Sequence, residues 1–146
     1  MRLLICVLAV AIVLALGLIA GSIPATAASP VPSFTGSWTG SHVTVRSDGN
    51  ILTGSFTFQL TQTGSVITGG IDCISGACST ATIKGTLINS TLVAYQITFL
   101  HTGTCGSGQL GGTIQMLQDG QHIYVTEGGG TPDCFTEHGA ATLTRQ

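Results

Sequence analysis

From residue 34 onward the chain alternates polar and apolar residues with a period of two, in about eight segments each closed by a turn signal. Successive side chains of a strand point to opposite faces, so each segment reads as a strand with one apolar and one polar face. The segment 51–62 sets Phe56, Phe58 and Leu60 against Ser55, Thr57, Gln59 and Thr61. The segment 91–100 sets Val93, Tyr95, Ile97 and Phe99 on one side. The other segments expected are 34–45, 66–73, 80–88, 109–118, 121–127 and 135–145. Turn residues separate them: Asp48-Gly49, Thr63-Gly64-Ser65, Asn89-Ser90, and Asp119-Gly120 as a two-residue hairpin. No ten-residue stretch after residue 33 has helical apolar spacing. One-sided strands at this spacing predict an all-β fold, an eight-stranded antiparallel up-and-down β-barrel, with a sandwich as the alternative.

The first residues stand apart. Arg2 is followed by an uncharged apolar run from Leu3 to Ala20, a break at Ser22-Ile23-Pro24, and Ala25-Thr26-Ala27 as a small-x-small cleavage site. Residues 1–27 are therefore expected to be a signal peptide, 28–33 a Pro-rich arm, and 34–146 the barrel domain. A run of about 18 apolar residues is also long enough to span a bilayer, so a membrane association follows only if this segment is not cleaved. The expected location is secreted or cell envelope.

Cys73, Cys78, Cys105 and Cys134 follow the leader. An even count behind a secretory leader predicts two disulfides, and the wide spacings do not suit zinc. The expected pairs are Cys73 with Cys78 and Cys105 with Cys134; the alternative joins Cys105 to one of the first two and Cys134 to the other. Beyond the leader only Arg46, Lys84 and Arg145 are cationic, which makes no phosphate-binding track and excludes nucleic acid as a partner.

Gly36-Ser37-Trp38 opens the first strand and Leu143-Thr144-Arg145 closes the last. With about eight strands between them, this pattern resembles the calycin superfamily, which holds lipocalins, fatty-acid-binding proteins, avidins and bacterial metalloprotease inhibitors. The resemblance implies that the Trp38 ring plugs the closed end and that Arg145 packs over it. Gly-Ser-Trp-Thr-Gly followed by Leu-Thr-Gly-Ser-Phe is similar to avidins in spacing. Avidins stack biotin between several tryptophans; this chain has one, so biotin binding is not expected.

In an up-and-down barrel the connections alternate between ends. The short turns fall on the Trp38 side, and the longer loops with all four cysteines fall on the other rim, where binding residues usually sit. The lumen is the second candidate site, with Tyr95, Phe56, Phe99 and Ile97 as ligand contacts and Tyr95 as the polar handle. Gly69, Gly85, Gly112 and Ala141 are expected to leave space there. A bulge at Gly40 is expected to turn Val43 and Val45 inward and His42 outward.

His42, His101, His122 and His138, with Asp133 and Glu137 near the rim, lack the spacing of metal ligands, so no metal or other cofactor is expected. No nucleophile elbow, phosphate loop or carboxylate pair on one strand face appears, so no catalytic residue is assigned; Asp72 and Glu127 both fall towards the rim, but nothing in the sequence places them together. The expected function is a non-enzymatic barrel binding a small apolar or amphipathic ligand. The alternatives are a secreted protein partner, such as a protease engaged by the arm from Ala28 to Phe34, or a structural envelope role without ligand.

Overall fold

The computed structural model describes residues 32–73, 78–101 and 105–146. The leader, most of the Pro-rich arm, the loop 74–77 and the segment 102–104 lie outside the described residues. Eight strands form one closed barrel: β1 (Gly36–Arg46), β2 (Ile51–Thr63), β3 (Val66–Cys73), β4 (Cys78–Asn89), β5 (Leu92–His101), β6 (Ser107–Met116), β7 (His122–Thr131) and β8 (Phe135–Arg145). Each strand pairs antiparallel with the next, and β8 returns to pair with β1. The up-and-down barrel is thus the fold, and closure leaves no edge strand unpaired.

The alternation of the sequence sets the core. Phe58, Leu60, Ile83, Val93, Ile97, Ile114, Ile123, Val125 and Leu143 all point inward and are buried. Ile67 on β3 and Phe34, which precedes β1, complete the floor. Phe34 does not extend the first strand. It sits sealed at the closed end, where its carbonyl accepts a 2.8 Å hydrogen bond from Trp38 Nε1 and its N–H donates to Gln62 Oε1 at 2.9 Å. Arg145 lies over the Trp38 ring at 4.2 Å, and its two terminal nitrogens donate to the Thr35 and Ser33 carbonyls. The fork geometry of guanidinium serves both contacts at once.

The bulge expected at Gly40 is absent. β1 runs in unbroken register from Gly36↔Leu60 to Val45↔Ile51 on one side and from Trp38↔Arg145 to Arg46↔Glu137 on the other. Because the side-chain period is two, an unbroken register keeps every even residue of β1 on the Trp38 face. His42 and Thr44 therefore face the lumen, Thr44 fully buried, while Val43 faces solvent with half its surface exposed.

The glycines expected to leave space instead mark where strands pinch together. A Cβ on Gly69 would lie 2.0 Å from the Gln59 carbonyl oxygen, and one on Gly112 would lie 1.8 Å from that of Thr126. Gly85 is crowded by Val93 and Tyr95. These are the corners at which a small barrel bends, and only a residue without a side chain fits. Strand seven also runs further than expected. Gly128-Gly129-Gly130 reads as a loop in sequence but pairs on both sides, extending β7 to Thr131.

Asp119-Gly120 is not a two-residue turn. Gly120 N–H bonds the Leu117 carbonyl at 3.0 Å, Gly120 takes a positive φ of 65°, and Leu117 N–H bonds the His122 carbonyl, so the loop spans Gln118-Asp119-Gly120-Gln121. The β1–β2 connection is one residue shorter, closed by Arg46 N–H to the Asn50 carbonyl, and shares the glycine turn, with Gly49 N–H bonded to the Arg46 carbonyl and Gly49 at 83°. Both are turns whose last residue must enter the left-handed region, which explains Gly at each. Asp48 and Asp119 accept backbone N–H bonds within these turns.

Candidate ligand site in the open half of the barrel

One row of residues in register across six strands organises the inner wall: Gly85, Tyr95, Gly112, Glu127, Gly139 and Thr44, in the order β4, β5, β6, β7, β8 and β1. Glycines alternate with larger side chains. Each larger residue is free to lean across the glycine beside it. Tyr95 crosses β6 at Gly112, and its hydroxyl donates to the Thr126 carbonyl at 3.1 Å. Thr44 and Glu127 meet over Gly139, with Thr44 Oγ1 donating to Glu127 Oε1 at 3.3 Å. A Cβ at Gly139 would lie 2.8 Å from Thr44 Oγ1 and 2.6 Å from the Val43 carbonyl oxygen.

Burial shapes the chemistry of this row. Desolvation pushes the Glu127 carboxyl above the ordinary glutamate range, opposed by the Thr44 hydrogen bond. It holds the Tyr95 hydroxyl far above the ordinary tyrosine range, with the Glu127 charge adding to the effect. Tyr95 is therefore a neutral hydrogen-bonding group. Among the described residues no Lys, Arg or His is ion-paired with Glu127.

An aromatic wall stands beside the row. His42 meets Phe56 edge-on at 5.0 Å, Phe56 lies 4.8 Å from Phe58, and Phe58 lies 6.4 Å from Tyr95. His42 leans over Gly54 and shares a 3.3 Å hydrogen bond with its carbonyl. Solvent contact is graded along the barrel. Trp38, Val93, Ile114 and Ile123 are 0% exposed, whereas Phe56, Tyr95, Phe99 and Phe135 keep 6–9%. The residual contact is thus on the open half of the lumen.

At the rim, Arg46 lies over the Phe135 ring at 3.9 Å, a second cation–π lid at the opposite end from Arg145. Arg46 Nε and Thr131 Oγ1 are buried without a hydrogen-bond partner among the described residues. The Cys105–Cys134 disulfide, with S–S 2.08 Å, ties the β5–β6 connection to the β7–β8 connection at this end. A structural disulfide is a feature of oxidising compartments. The pairing expected for Cys73 and Cys78 lies outside the described residues.

The structure brings Tyr95, Phe56, Phe99 and Ile97 into the interior together. It does not bring Asp72 to Glu127: Asp72 is exposed on the outer face of β3 and Glu127 is inside. His122 pairs with Asp119 at 2.6 Å on the closed-end turn, and His138 faces solvent. Among the described residues no three His, Cys, Asp or Glu side chains gather to hold a metal ion. Of the arm assigned to a protein partner, Phe34 is sealed in the plug and Ser33 is tied to Arg145. Thr44 and Glu127 are the polar contributors that the expected bulge and the expected loop at 128–134 concealed. Glu127 shares parity with Ile123 and Val125, which marks it as inward-facing.

No protein-family model matches this chain, and no curated protein matches it in sequence. Solved structures do match in fold. A redesigned beta barrel, mFAP1, bound to DFHBI, is 17% identical with a TM-score of 0.50, over 76% of this chain and 94% of that one. EF1p2_mFAP2b, also bound to DFHBI, is 16% identical with a TM-score of 0.54, over 81% of this chain and all of that one. The isotype 1 transferrin binding protein B from serogroup B Neisseria meningitidis is 11% identical with a TM-score of 0.50, and 78% of this chain covers 26% of that protein. At such identities the likeness is one of architecture, and what it establishes is a closed eight-stranded antiparallel barrel.

Proposed function

We propose that this protein is a secreted, non-enzymatic barrel that takes a small amphipathic molecule into the open half of its lumen. The observation that carries the reading is the graded inner wall. The closed end is apolar and sealed by Trp38 and Phe34, while the open half mixes Phe56, Phe99 and Phe135 with Tyr95, Thr44, Glu127 and the unpartnered polar atoms of Arg46 and Thr131. Ligand pockets combine an apolar lining with a few fixed polar groups in this way. An apolar ligand body would lie against the aromatic wall and its polar end would face the rim. Two fold neighbours hold the small molecule DFHBI, which supports a barrel of this size as a binder. The Trp38–Arg145 lid supports a calycin-like reading of the same scaffold.

DFHBI and the neutral dye Nile red serve as probes of the purified barrel. A lumen ligand at a hundredfold excess over its dissociation constant stabilises the native state by about 2.7 kcal/mol. Saturable fluorescence enhancement with a matching rise in Tm is expected from at least one of them. If neither probe binds, and native mass spectrometry of protein from its own host shows no retained small molecule, the ligand-binding reading is refuted.

A further inference from the structure

We infer that the ligand head recognised inside the barrel is a cationic hydrogen-bond donor, an alkyl- or arylammonium group, held by the Glu127 carboxylate against the aromatic wall. The inference rests on the ligand-binding reading above and names the chemistry of that site.

Glu127 is an acid built into an inner wall, where an isolated charge is costly. Its position is structural in origin. Gly112 and Gly139 flank it on the neighbouring strands, so its immediate cross-strand neighbours carry no side chain, and only Thr44 and Tyr95 reach in across them. Oε1 takes one long hydrogen bond from Thr44, and Oε2 has no protein donor among the described residues. Oε2 is also not among the sealed unpartnered atoms of the described residues, so it keeps some contact with solvent. Tyr95, the nearest other polar group along the row, has its proton committed to the Thr126 carbonyl and offers Glu127 nothing. A carboxylate with one weak neutral donor and one open oxygen is matched by a ligand that brings N–H groups and a positive charge.

The surroundings agree with that match. His42, Phe56, Phe58 and Tyr95 form a run of ring contacts on the inner wall whose Tyr95 end shares the Gly112 row with Glu127, and ring faces attract ammonium groups. The ionisable groups that face Glu127 are His42 and Arg46 on β1, Tyr95 on β5, and Glu137 on β8; β6 contributes Leu110, Gly112 and Ile114, none ionisable. Arg46 is the one that opposes a cation. It stands two residues nearer the rim than Thr44, flat on Phe135 and in register with Glu137, so its charge lies at the mouth beside an acid. A carboxylate ligand would meet the reverse arrangement, with Glu127 repelling its head.

Displacement of Nile red from the full barrel by octylamine, octanol and octanoate tests this, because the three share one chain length and differ in the head. A hydrogen bond to a charged partner is worth about 1.5–3 kcal/mol, so octylamine is expected to displace the dye at about tenfold lower concentration than octanol, with octanoate weakest. Glu127→Gln is expected to erase the difference between amine and alcohol while octanol still displaces the dye. In the unmodified barrel the amine's advantage is expected to fade as pH drops through the raised Glu127 range, because the protonated carboxyl loses its charge. Equal displacement by amine and alcohol, or an amine preference that survives Glu127→Gln, overturns the ammonium assignment and leaves the barrel a binder. Absence of binding by Nile red and octanol alike overturns both readings.

Discussion

Replacing Gly112 with Ala isolates the strand pinch from everything else in the wall. An added methyl carbon would lie 1.8 Å from the Thr126 carbonyl oxygen and 3.1 Å from Glu127 Cα. Ordinary contacts need about 3.5–4.0 Å, so β6 and β7 must part by well over an ångström. Gly112 is paired with Tyr95 on one side and Glu127 on the other, so neither neighbour can rotate away as a side chain could. Overpacking costs about 1–3 kcal/mol where side chains absorb part of it, and a backbone clash belongs at the upper end, about 3 kcal/mol. For a domain of this size that lowers Tm by about 12 °C. Gly111→Ala is the matched control: it sits next in sequence on the outer face, and its Cβ would meet only the Tyr95 carbonyl oxygen at 3.4 Å. The control is expected to stay within about 0.5 kcal/mol of the parent. Trp38 is the single tryptophan and is fully buried, so its emission follows unfolding in guanidinium without a label. If the two variants unfold at the same denaturant concentration, the glycine-corner account of this barrel is wrong.

The Cys105–Cys134 bond closes a loop with a sequence separation of 29, for which the chain-entropy estimate is roughly 3.5 kcal/mol. The paired Cys105→Ser and Cys134→Ser variant is expected to show that loss in equilibrium denaturation under conditions that keep the other thiols unchanged; an unaltered midpoint would remove the bond from the stability account. Glu127 titrates in the opposite sense to a salt-bridged carboxylate. Its pKa is raised by folding, so the folded state holds the proton more tightly than the unfolded one. Stability is therefore expected to rise as pH falls from neutrality through the raised range, and to be lost again as pH climbs through it. Glu127→Gln is expected to remove that rise and to be the more stable form at neutral pH; a parent-like pH profile in this variant would show that the carboxyl is well solvated.

Strand order, the closed-end plug and the inward face of strands such as β2 and β5 were legible because each depends on local alternation or on a distinctive residue type. Trp38 and Arg145 could be matched at a distance because few side chains do their job. The errors have a common physical source: they depend on how close a neighbouring strand comes. At β1 the sequence offers Val43 and Val45 as the natural inward pair, yet His42 and Thr44 take the interior because Gly54 and Gly139 lie opposite them and make room. Gly69 and Gly112 look like gaps when β3 and β6 are read singly; only the approach of β2 and β7 turns them into contacts. The run Gly128 to Gly130 has no apolar side chain to signal a strand, although its backbone pairs fully with β6 and β8. The same boundary hides Glu127, which the sequence places at the end of a strand and the structure places near the middle of β7.

The seam between β1 and β8 gives this barrel an unusual folding order. Seven of its eight pairings join consecutive strands and close short loops; the eighth joins residues such as Trp38 and Arg145, at opposite ends of the barrel sequence. Loop closure over such a span is the slow part of assembling a sheet. The state just before closure is an open sheet with two long free edges, β1 and β8, each a template for another chain. Both edges carry an arginine near the end that its aromatic partner later covers: Arg46 beside Phe135 and Arg145 beside Trp38. The two lids therefore act as latches on the one non-local seam. Each is a contact that exists only after the correct edges have met, and each leaves a positive charge on an edge that has not yet found its mate.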